Sequence, residues 1–151
     1  MTVVGVDKDP AGRTLRITSE FGAPPARVWR MWSDPRRLER WWGPPEFPAT
    51  VTEHDLRPDG RVALFVIGPD GGRRDASWRV TAVEEPTGLA FELHDPDFPP
   101  IAMRVRISPS GAGSRMVIEA SFPTDEAMDR LLSIGFAEGR SAAVAQLDHA
   151  L

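Results

Sequence analysis

The chain has 151 residues, a net charge of −4 and no cysteine, so disulfides, thiolate metal ligands and a cysteine nucleophile are excluded. Its length suffices to bury roughly two-thirds of the surface the unfolded chain exposes, without a covalent or metal staple. All but one of the 18 basic residues are arginines, and they are scattered among acids, which speaks against a nucleic-acid footprint.

The N-terminal stretch MTVVGVDKDPAG has neither a basic start nor an apolar run of signal-peptide length, and no segment approaches the ~20 apolar residues of a membrane span. A cytoplasmic protein without membrane insertion is expected. The first clear element is RTLRITSEF (13–21), where Leu15, Ile17 and Phe21 share one face with Ser19 while Thr14, Arg16, Thr18 and Glu20 share the other; this period of two predicts a half-buried strand. GAPP resets the chain, and ARVWRMWS places Val28, Trp29 and Trp32 at helical spacing with a proline in the tolerant first turn. Ser33 or Asp34 can cap a second short helix that starts at Pro35.

From Pro48 onward the pattern becomes strands and hairpins: TVTEHDL, the RPDG turn, RVALFVI, GPDGG, DASWRVTAV, EEPTG, LAFEL, a proline-rich break at HDPDFPP, IAMRVRI, SPSGAG and SRMVIEASF. In RPDG, proline presets φ and glycine accepts positive φ. Hairpin-length loops imply an antiparallel meander, half wet and half buried. The segment 123–151 predicts one long helix capped by Thr124, with Met128, Leu131, Leu132, Phe136, Ala143 and Leu147 on its apolar side. Gly135 and Gly139 inside it each cost on the order of 1 kcal/mol relative to alanine. Close backbone packing is the favoured compensation, and a ligand-filled void the alternative. The fifteen prolines and thirteen glycines are spread along the chain, leaving residues 1–151 as a single domain without linker or repeat. The resulting architecture is α+β: a first strand, two short helices, about six further strands, and a long C-terminal helix covering the concave face of the curling sheet.

This order, with the segments FGAPPARVWRMWSDPRRLERWW, DLRPDG, GPDG, EEPTGLAF and GFAEGRSAAVAQLDHAL, resembles the START-like (SRPBCC) superfamily with its helix-grip fold. Within it, the chain looks most like bacterial proteins related to the C-terminal domain of the activator of heat-shock protein 90 ATPase. The resemblance implies a curved antiparallel sheet of six to seven strands wrapped around the long C-terminal helix. It also implies a space between sheet and helix in which relatives hold hydrophobic molecules. Asp59 stands where the family usually has glycine, Arg140 where it usually has tryptophan, and Trp78 where glycine is common. A large aromatic thus moves from the helix side to the sheet side, so a pocket here has its own shape and no ligand carries over by analogy.

Catalytic and metal motifs are absent. His54, His94 and His149 have no metal spacing, His54 and Asp55 point to opposite strand faces, and tyrosine is missing altogether. No catalytic residue, metal or cofactor is expected, and an enzyme is the less favoured reading. The aromatic and apolar set Trp32, Trp41, Trp42, Phe47, Trp78, Met103 and Phe136, with His54 and Gly139, is placed where sheet and helices converge. By residue type alone, core filling is favoured for each of them; the resemblance favours a ligand cavity. A polar group at its wall, such as His54, Arg79 or an indole N–H, would orient the ligand. The expected function is therefore binding of a small hydrophobic or amphipathic molecule, the alternatives being a chaperone-associated module in the stress response and a cyclase- or hydrolase-like enzyme. A homodimer through a sheet edge or the short helices is a further expectation.

On a helix from Pro35, Trp41 and Trp42 fall to either side of Leu38 at about 60° and 40°, so both rings lie on the apolar face but cannot fill the same hole. One is expected in the core and the other at the cavity entrance. Gly43 and Pro44-Pro45 end the helix.

Overall fold

The computed structural model describes residues 3–151. One antiparallel sheet of eight strands dominates: β1 (Val3–Asp9), β2 (Thr14–Phe21), β3 (Thr50–His54), β4 (Arg61–Ile67), β5 (Arg73–Glu84), β6 (Gly88–Asp95), β7 (Phe98–Ser110) and β8 (Gly113–Ser121), in the spatial order β1-β2-β8-β7-β6-β5-β4-β3. Between β2 and β3 lie α1 (Pro25–Ser33) and α2 (Pro35–Leu38). After β8 come α3 (Asp125–Ser133), α4 (Phe136–Ala145) and α5 (Leu147–Ala150). The expected α+β helix-grip arrangement is present, with one strand more than the six to seven read from the sequence. The addition is β1, which pairs with β2 as an edge strand. Its side chains are mostly exposed, so it carries little of the inside-outside alternation that betrays a half-buried strand.

Alternation positions everything else. In register across β4, β5, β6 and β7, the pairs Val62–Trp78, Leu64–Ala76, Trp78–Leu93, Val80–Phe91, Leu93–Ile101 and Phe91–Met103 point inward together. The outward rows carry cross-strand ion pairs such as Arg16–Glu119 at 2.7 Å and Arg79–Glu92 at 3.0 Å, each worth about 0–1 kcal/mol at an exposed site. Arg79 therefore faces away from the interior.

Three loop readings change. The proline-rich break shrinks to Pro96-Asp97, because β6 runs on to Asp95 and β7 starts at Phe98. In the RPDG turn it is Asp59 that takes the left-handed conformation, at φ 64°, whereas Gly60 keeps a negative φ. Gly60 is required for a different reason: a Cβ there would collide with the carbonyl oxygens of Asp55 and Arg57. The second short helix spans only Pro35–Leu38, N-capped by Asp34, whose carboxylate accepts from the Arg36 amide at 2.9 Å. A further turn is held by Trp42 N–H donating to the Leu38 carbonyl at 3.1 Å, so both tryptophans remain on a helical path.

The C-terminal helix is interrupted. Thr124 caps α3 by accepting from the Ala127 amide at 3.0 Å, with Asp125 and Glu126 at the positive end of its dipole. Gly135 then adopts φ 96° and turns the chain into α4, a conformation that glycine takes without the Cβ penalty. Gly139 is exposed, with nothing within 4 Å of where a Cβ would sit. Close packing against the sheet explains neither glycine: the first makes a corner and the second faces open space.

Candidate functional site

The interior has two parts. Around the centre of β5 and β6, Trp32, Trp41, Trp42, Trp78 and Phe91 form a continuous aromatic cluster. Trp32 meets Trp41 edge-on at 4.7 Å, Trp42 meets Trp78 at 4.8 Å, and Trp78 stacks on Phe91 at 4.1 Å between ring centroids. Trp32 donates its indole N–H to the Met116 sulfur at 3.3 Å, and Trp41 donates to the Met31 carbonyl at 2.9 Å. The indole N–H of Trp78 is buried without an acceptor, which costs on the order of 1–3 kcal/mol. Met103 is buried on β7 below the cluster, opposite Phe91.

Toward the β4–β5 and β6–β7 ends of the strands the packing opens into a cavity of about 320 Å³. Its floor is the inward row Leu64, Ala76, Leu93 and Ile101, its roof the α3–α4 corner with Leu131, Ile134 and Phe136, and its side wall Trp42-Gly43-Pro44. Smaller floor side chains and the corner at Gly135 are the physical origin of this space, since α4 makes its close backbone approaches to β1 and β2. The register also ends here: β5 pairs with β6 only from Ser77 onward, opposite His94. Arg74 reaches across the gap to Asp95 at 3.7 Å and Asp97 at 3.4 Å. A more polar depression of about 540 Å³, lined by Arg61, Arg73, Ser77 and His94, shares Leu64, Asp75, Ala76 and Asp95 with the cavity wall.

The wall at Trp42 is held from the C-terminal helix. Gly43 and two prolines leave the carbonyls of residues 41–43 without helical partners, the usual condition of a helix end. Gln146 donates its side-chain amide to the Trp41 carbonyl at 3.2 Å and the Gly43 carbonyl at 2.7 Å, and Arg140 donates to the Trp42 carbonyl at 3.1 Å. The Arg140 guanidinium also lies over the Trp42 ring, 4.4 Å from its centroid. Among the described residues Arg140 makes no ion pair, and although some of its side chain is exposed, burial pushes its pKa down to about 10.

Of the nine residues singled out in the sequence, Trp42 and Phe136 line this cavity. Trp32, Trp41, Trp78 and Met103 belong to the filled interior, each 2% exposed or less, because the aromatics pack on one another. Phe47 is half-buried in the loop before β3 and Gly139 is on the exposed side of α4; neither lines the cavity. His54 uses its Nε2–H to donate to the Trp32 carbonyl at 3.0 Å, satisfying a carbonyl in the last turn of α1. Arg79 is tied to Glu92 and Asp59 on the outer face, where the Glu92 hydrogen bond raises its pKa further above the usual value. Of the two adjacent tryptophans, Trp41 is wholly buried and Trp42 forms the wall. The sequence reading missed Leu64, Val66, Ala76, Leu93 and Ile101, whose common signal is inward parity near two hairpins; Phe98, which lies off the parity of Ile101 and Met103 beyond a register shift; and Arg140, whose signal was its departure from the usual tryptophan.

A model of the activator of Hsp90 ATPase homolog 1-like proteins matches residues 22–151. The chain belongs to this family. Solved structures resembling it include a Mycobacterium smegmatis protein, 41% identical, with a TM-score of 0.88 over 97% of this chain and 96% of that one. A second, from Arthrobacter aurescens, is 37% identical, with a TM-score of 0.91 over 99% of this chain and 91% of that one. A family member from Silicibacter pomeroyi is 25% identical, with a TM-score of 0.71 over 90% and 95% of the two chains. No functionally curated protein matches. Among the described residues no helix is long and apolar enough to cross a membrane, and no group of three or more His, Asp or Glu side chains is arranged to hold a metal ion.

Proposed function

We propose that the chain acts as a single binding domain for a small hydrophobic or amphipathic molecule, held between the β4–β7 ends of the sheet and the α3–α4 corner. The observation that carries this is the predominantly apolar cavity of about 320 Å³, at the lower end of the ~300–1,000 Å³ usual for ligand sites. It has room for about ten water- or methylene-sized groups, at roughly 30 Å³ each. The exposed Ile134 at the corner supplies an apolar lip at its mouth. The acids on the wall, Asp75 and Asp95, are ion-paired with Arg73 at 2.9 Å and Arg74 at 3.7 Å, and no histidine lines the cavity, so binding is better supported than acid-base chemistry. A cytoplasmic location is part of this reading.

Native mass spectrometry of purified protein and a thermal shift screen against apolar and amphipathic compounds test it. A ligand at 100 times its Kd stabilises by about 2.7 kcal/mol, which raises Tm by several degrees in a domain of this size. No co-purified molecule and no shift across the screen would remove the proposal. The family description favours a second reading, a module that stimulates a chaperone ATPase; an unchanged ATPase rate of the cognate chaperone at saturating protein disposes of it.

A further inference from the structure

We infer that the ligand carries a single carboxylate, received by Arg140, on an apolar body of about ten heavy atoms. This rests on the binding reading above and gives it a chemical class.

Arg140 differs from the other charged groups of the cavity. Arg74 is engaged by Asp95 and Asp97, and Asp75 by Arg73. Arg140 makes no ion pair among the described residues, and its hydrogen bond to the Trp42 carbonyl uses one of the five N–H donors a guanidinium presents. Its guanidinium carbon lies over the Trp42 ring. An arginine fixed in this way by an indole and a carbonyl is preorganised, and its planar fork matches a carboxylate in bidentate geometry. Desolvation already disfavours its charge, a cost that an anion in the cavity offsets because a buried cation is stabilised by pairing. The other charged groups on the wall, Arg74, Asp75 and Asp95, are engaged in ion pairs, so one unpaired cation is offered to the ligand, which points to a carboxylate and away from a phosphate dianion. The remaining lining, Leu64, Leu93, Ile101, Leu131 and Phe136, asks only for hydrocarbon.

The test uses three probes of equal length, decanoate, 1-decanol and decylamine, titrated into the intact protein by calorimetry at pH 7, with monodecyl phosphate as a fourth. Decanoate is expected to bind at least about ten-fold more tightly than decanol, a difference of 1.4 kcal/mol, and decylamine more weakly than either. Arg140→Gln is expected to bring decanoate within about three-fold of decanol measured on the same variant; Arg140→Lys is expected to retain part of the preference. Equal affinities for decanoate and decanol in the parent would overturn the inference and leave the binding reading standing. Tighter binding of the phosphate would overturn the single-charge assignment. Binding of none of the four would overturn both readings. Should Arg140→Gln fail to fold, the ranking of the four probes on the parent protein decides alone.

Discussion

The two parts of the interior lie on the same sheet face, yet one is filled and the other is not. In the filled part, four tryptophans and Phe91 touch one another ring to ring. In the open part, the inward row continues as Leu64, Ala76 and Leu93, and the covering helix breaks at Gly135. The cavity here coincides with two features of this chain, a small floor residue at Ala76 and a diverted cover, where the close packing found elsewhere in the interior is interrupted.

The filled part gives way most visibly at Trp78. Trp78→Ala is expected to lower unfolding free energy by about 3–5 kcal/mol, measured by denaturant titration. Trp78→Phe is expected to cost at least about 1 kcal/mol less than the alanine variant, since it keeps a ring against Phe91 and removes an indole N–H that has no acceptor. Next comes the corner. Gly135→Ala places a Cβ at φ 96° and is expected to cost on the order of 1–2 kcal/mol; no loss in the same titration would mean the corner is not held by its backbone. Ala76→Leu adds carbon to the cavity floor, where there is room for it, and is expected to leave stability within about 1 kcal/mol of the parent while abolishing decanoate binding. Decanoate binding that survived the Ala76→Leu substitution would show that the ligand sits elsewhere. The smallest effect is a gain: Gly139→Ala, with open space around the new methyl, is expected to stabilise by about 0.5–1 kcal/mol and leave binding untouched.

The fold was legible because its signals are periodic. Strict alternation in IAMRVRI and RTLRITSEF specifies which face each strand buries, and Asp34 and Thr124 announce the starts of their helices through side chains that the structure shows accepting backbone amides. The edge strand β1 was hidden because an exposed strand has no buried face to alternate with. The cavity was half legible. Aromatics mark the interior, but residue type cannot say whether a ring meets another ring or a void; Trp41 and Trp42 differ only in what lies beyond them, Met31 and the other rings for one, the cavity and Arg140 for the other. Phe136 and Gly139 sit on one helix, yet the break at Gly135 sets where that helix points, and only the first meets the cavity.

Gln146 and Arg140 fasten the carbonyls of residues 41–43 across sequence separations of 98 to 105 positions. Contacts this distant are formed only after a long loop has closed, and they repay that entropy late. The carbonyls of residues 41–43 therefore lack these partners until the last turns of the chain have docked. One wall of the cavity is thus completed by Arg140 and Gln146, among the last residues of the chain to be synthesised.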